Sequence, residues 1–71
     1  MNVKNLDIMR DYVKKNEKWP KLDIFELTGI CFFYLSAYDP DMNLRDTLEI
    51  VNQLKAEQKA ERMLNNERNE L

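Results

Sequence analysis

Hydrophobic positions along the chain fall into three blocks with helical spacing. In the first, Leu6, Met9 and Val13 follow i, i+3, i+7, flanked by Ile8 and Tyr12, which predicts a helix over about residues 5–16. Lys14 and Lys15 stand in its last turn, where cations suit the carbonyl end of the helix dipole. Asn16 tolerates the left-handed backbone and is expected to close the helix. Trp19-Pro20 then stops it, because the residue before proline is pushed out of α space.

The second block has the clearest start. Asp23 can cap free amides and Glu26 can reach back to it, a capping box with Asp in place of Ser or Thr. Leu22 and Leu27 have the spacing of a hydrophobic staple around that cap. The body predicts a helix over about residues 24–37 that is apolar almost all round, hence central in a core or buried by a second chain. A strand over Ile30–Leu35 fits propensity alone, but the chain offers it no second strand. Gly29 can admit close approach of another helix.

Asp39, Pro40 and Asp41 read as cap, first helical residue and dipole-matching acid of a third helix over about residues 40–66. At about 100° per residue, Leu44, Leu48, Ile50, Val51 and Leu54 share one broad stripe. Beyond Lys55 the apolar letters (Ala56, Ala60, Met63, Leu64, Leu71) move to another face, and Lys59 and Arg62 stand on the old stripe. This predicts a protruding arm over residues 56–71 that binds a partner or another copy, with Glu57 and Glu61 meeting bases across the contact. The fold expected is all-α: one small domain of three helices, a central apolar second helix and a long third, assembled as a helical dimer. The expected core is Leu27, Ile30, Phe33 or Tyr34, Leu48 and Val51.

Composition narrows the chemistry. One Gly and two Pro leave too few turns for a β-sandwich or barrel. Without any His, His-based triads and His metal sites are excluded. The single Cys31 permits no intrachain disulfide, fits a reducing compartment, and reads as a core thiol. Asp39, Asp41, Asp46 and Glu49 gather at the start of the third helix, but their spacing is not that of a calcium loop, and capping explains them. Phe25, Phe32, Phe33, Tyr34 and Tyr38 read as core and interface. No catalytic residue, cofactor or metal is expected. The N-terminal stretch is charged and has no apolar segment of the kind secretory signals carry. The run Gly29–Leu35 is too short to span a bilayer.

The net charge of −2 is uneven. Residues 1–21 carry six bases against three acids; residues 22–71 carry five against ten. Such a chain lacks the continuous basic face that a phosphate lattice asks for. A helix-turn-helix reading fails because its recognition helix would begin with acids that repel DNA. Lys14, Lys15, Lys18 and Lys21 with Trp19 remain the residues for a nucleic-acid contact, the indole serving as a stacking surface.

Met42-Asn43-Leu44-Arg45-Asp46, followed by Leu48-Glu49-Ile50-Val51, resembles the second helix of the small helical-hairpin inhibitors of sporulation histidine kinases. The likeness covers a small part of the chain, and the first helix and long tail depart from that pattern. It implies only that a helical hairpin of this size can act as a kinase inhibitor.

The function expected is that of a non-enzymatic regulator or inhibitor that covers a surface of a target protein, as a homodimer. Eight Asn and seven Lys against three Ala fit an AT-rich phage or mobile-element gene, acting in a bacterial cytoplasm. The interface residues expected are Phe32, Tyr38, Glu57, Ala60, Glu61, Met63 and Leu64. The alternatives are a transcriptional regulator using the basic first helix on nucleic acid, and an antitoxin-like protein whose acidic tail wraps a toxin.

Overall fold

The computed structural model describes the backbone of residues 3–69 and the side chains of residues 3–64. Within that span the chain is all-helical: α1 (Val3–Lys14), a 3-10 turn (Trp19–Lys21), α2 (Ile24–Ser36) and α3 (Leu44–Asn69). Helix α3 alone is about 39 Å long at 1.5 Å per residue. It sets the long axis of a molecule measuring 47 × 21 × 18 Å.

Helix α1 starts and stops two residues earlier than its pattern predicts. Its buried side is Asn5, Leu6, Met9 and Val13. Asn16 does not close it through a left-handed backbone, since no described non-glycine residue has positive φ. Instead the Asn16 side chain accepts from the Lys18 amide (2.9 Å) and its carbonyl from the Trp19 amide (2.9 Å), turning the chain into the 3-10 segment.

The start of α2 is the capping box. The Glu26 amide donates to Asp23 Oδ1 at 2.8 Å, and the Asp23 amide donates to Glu26 Oε1 at 3.4 Å. Only one side of α2 enters the core, through Leu27, Cys31 and Leu35. Ile30 and Tyr34 pack at its margin, and Phe33 points outward. Of the two expectations for α2, a central place covered within the chain is not met: its core-facing side packs on the rest of the domain, and the side of Phe25 and Phe33 is left bare.

Helix α3 begins four residues later than expected. Asp39 caps a turn instead, accepting the Asp41 amide on Oδ1 (3.1 Å) and the Asn5 amide nitrogen on Oδ2 (3.3 Å). Asn43 is the cap of α3, with Oδ1 accepting from the Asp46 amide at 2.9 Å. The buried stripe of α3 is Thr47, Ile50, Val51, Leu54 and Gln58. Leu44 and Leu48, expected inside, stand at the edge of that stripe; Leu48 is 38% exposed.

The stripe does not rotate after Lys55. Gln58 continues it, only 2% exposed, and its Nε2 donates to the Trp19 carbonyl (2.6 Å) and the Leu22 carbonyl (3.0 Å). Lys55 Nζ also reaches the Leu22 carbonyl (3.3 Å) and Gln58 Oε1 (2.8 Å). Arg62 donates to the Pro20 carbonyl. The expected arm therefore stays docked on its own domain through Arg62. Residues 70–71 lie outside the described residues.

Candidate protein-binding surface

With Leu27, Cys31 and Leu35 turned inward, helical periodicity directs Phe25, Gly29 and Phe33 to the opposite side of α2. Phe25 is 84% exposed and Phe33 81%. Large rings left in water on a chain that has already built its core make this face the candidate interaction surface. Phe32 flanks them, half-exposed, its ring 6.4 Å from that of Phe33 and edge-on to it.

Between α1 and α2 lies an open concavity of about 600 Å³ lined by Tyr12, Glu26, Gly29, Ile30, Phe33 and Tyr34. Its wall is held by stacked rings: Tyr12 and Tyr34 have centroids 4.0 Å apart. Tyr38 extends the stack, with centroids 5.2 Å apart and its hydroxyl hydrogen-bonded to that of Tyr34 at 3.2 Å. That hydrogen bond is the main cause of a raised Tyr34 pKa, so Tyr34 stays neutral at physiological pH. Gly29 is part of the lining, and a Cβ built there would meet nothing within 4 Å.

Further exposed apolar side chains lie along α3 in two places, Leu44 and Leu48 near its start and Met63 and Leu64 about 22 Å further along. Ala60 is exposed with them. Of the interface residues expected from sequence, Phe32 and Tyr38 border the α2 surface, while Ala60, Met63 and Leu64 belong to α3. They do not form one patch.

Glu57 and Glu61 are engaged inside the chain rather than across an interface. Arg10 grips Glu57 through two hydrogen bonds of 2.9 Å, and Lys14 Nζ stands 3.0 Å from Glu57 and 3.2 Å from Glu61. The Trp19 indole donates to Glu61 at 2.6 Å, and Lys14 sits 5.8 Å from the ring centroid. Opposite charge at the two ends of the sequence thus meets within one molecule. It ties α3 to α1.

The same contacts disperse the expected nucleic-acid set. Trp19 is buried and offers no free ring face, Lys14 pairs with two glutamates, and Lys15 pairs with Asp11 at 3.2 Å. Lys18 and Lys21 remain on the surface.

Glu57 titrates far from its ordinary value. The Arg10 hydrogen bond, aided by Lys14 and opposed by desolvation, lowers its pKa from 4.5 to about 2. A depressed carboxyl stabilises the fold above the unfolded value and loses that contribution as pH falls through the folded one. The window is therefore from about 4.5 down to about 2. Its partners Arg10 and Lys14 are 36% and 34% exposed, so solvent screening discounts the shift and leaves on the order of 1 kcal/mol. Glu57→Gln should melt below wild type at neutral pH, and the gap should close near pH 2; a gap independent of pH would show that the ion pairs contribute nothing.

Among the described residues no group of Cys, Asp and Glu side chains is placed to hold a metal ion. Cys31 is buried, and desolvation pushes its thiol up to about 12, far from thiolate reactivity. No helix among the described residues is long and apolar enough to cross a membrane. No protein-family model matches the chain, and no curated protein or solved structure matches it either.

Proposed function

We propose that this chain is a small non-enzymatic regulator or inhibitor that binds another protein and covers part of its surface, working as a homodimer. A phage or mobile-element origin and action in a bacterial cytoplasm belong to the same reading, on the Asn- and Lys-rich, Ala-poor composition. The observation that carries it is the division of apolar side chains. A complete core of Leu, Val, Ile, Met and Trp is buried, yet Phe25 and Phe33 on α2, and Leu44, Met63 and Leu64 on α3, remain more than half exposed. The bare face of α2 leaves room for a copy of the chain, and the exposed apolar side chains near the two ends of α3 leave room for a target. The α3 surface is the one assigned to the target.

The test is affinity capture from a bacterial host lysate with full-length protein and with the double variant Leu44→Glu, Met63→Glu. Both positions are exposed, so the variant keeps the fold. A host protein held by wild type and released by the variant supports the reading. Equal capture by both would overturn the assignment of the α3 surface.

A further inference from the structure

The outer face of α2 is symmetric about its own middle. Phe25, Gly29 and Phe33 form one row at a spacing of four residues, with a ring on each side of a bare backbone notch. A two-fold axis at Gly29 between two antiparallel copies sets Phe25 of one beside Phe33 of the other. Phe25 then meets Phe33 and Phe33 meets Phe25, the reciprocal pairing of an isologous contact, where the same patch serves both partners. We infer that this face binds a second copy of the chain, α2 against α2, antiparallel and crossing at Gly29. The inference deepens the homodimer in the proposed function and rests on that part of it alone.

Charge fixes the direction. Glu26 is the acid beside the row. A parallel pair would set Glu26 against Glu26 and bring like helix-dipole ends together. The antiparallel pair separates the two Glu26 residues by six helical positions, about 9 Å along the axis. It also brings Phe25 of one copy into the concavity beside Phe33 of the other, against Tyr12, Ile30 and Tyr34. With nothing around its Cβ position, Gly29 lets the two backbones approach there.

The area suffices for a reversible dimer. At about 200 Å² for a fully exposed ring, Phe25 and Phe33 with the exposed parts of Phe32 and Tyr12 offer roughly 500 Å² per chain. Complete burial of these rings in two copies covers about 1,000 Å², at the lower bound for specific association.

Sedimentation equilibrium of the full chain tests this, with Phe33→Glu and Gly29→Gln as variants. Both changes point into solvent, and Gln is a better helix former than Gly, so each variant should keep its circular-dichroism melt in dilute solution. Wild type should sediment at twice the 8.6 kDa chain mass at about 100 μM, and both variants should associate about a hundredfold more weakly. Gly29→Cys should cross-link to its mate under mild oxidation, because the axis passes through it. A monomeric wild type, or variants that dimerise unchanged, would overturn the inference. Target capture by the monomeric Phe33→Glu variant is a separate matter: it bears on the α3 surface, while sedimentation alone decides the dimer.

Discussion

A chain ended after Lys55 should show no cooperative melt, whereas one ended after Arg62 should melt as the full-length protein does. Position 58 makes the difference. Gln58 is buried and holds the Trp19 and Leu22 carbonyls at 2.6 and 3.0 Å, so it closes the 3-10 turn onto α3. The shorter chain also loses Glu57 from Arg10 and Lys14, and Glu61 from the Trp19 indole. A buried carbonyl left without its donor costs about 1–3 kcal/mol. A domain this small stands only about 3–5 kcal/mol above its unfolded chain. Losing the Gln58 bonds and the ion pairs together exhausts that margin. Gln58→Leu isolates one part of the effect: it keeps the bulk, removes the donor, and should lower stability by about 2 kcal/mol. The single Trp19 reports both experiments, since its buried fluorescence shifts when the turn opens. A stably folded chain ended at Lys55 would restore the protruding-arm reading of α3.

That reading shows where the sequence was legible and where it was not. The capping box at Asp23 and Glu26 depends on local chemistry and appears where the letters place it, whereas α1 ends at Lys14, ahead of the expected stop, and Trp19-Pro20 opens a 3-10 turn. Local chemistry also suggests Asp39 as the cap of α3. Asp39 is taken, however, by Asn5, which lies 34 positions away in sequence, and Asn43 caps instead. The apparent rotation of the α3 stripe has a similar origin. A pattern of apolar letters cannot register a buried amide, so Gln58 reads as surface and the stripe seems to end at Leu54. Its reason for being inside is two carbonyls on another element. Glu57 and Glu61 read as meeting bases across an interface for the same cause: their bases lie on α1 of the same chain rather than one turn along α3.

The face of α2 was half legible. Its near-continuous apolar run asks for a central place or a second chain over it, and within this chain its outer side is bare. Which residues stay outside follows from Leu27, Cys31 and Leu35 being inside, a choice made by the packing of α1 and α3. Phe33 reads as core by its hydrophobicity alone, yet its position on the helix carries it into solvent.

This division predicts opposite outcomes for substitutions that look alike in sequence. Leu27→Ala and Leu54→Ala remove side chains that are 0% exposed, and each should cost about 2–5 kcal/mol, part from lost burial and part from the cavity left behind. Either change approaches the whole stability of a domain this size, so the expected readout is a melt pushed to low temperature or lost. Leu48→Ala, at 38% exposure, should cost less than about 1 kcal/mol, because water already solvates much of that side chain. Phe33→Ala should be nearly silent in dilute solution despite removing a larger group, since four-fifths of its ring is exposed. Its effect should appear only as concentration rises and association begins to add stability by mass action. Denaturant titrations of the four variants at low and high protein concentration separate these terms. If Leu48→Ala proved as damaging as Leu54→Ala, α3 would be rotated relative to the packing described. If Phe33→Ala lowered stability equally at every concentration, its ring would belong to the folded monomer rather than to a contact between chains.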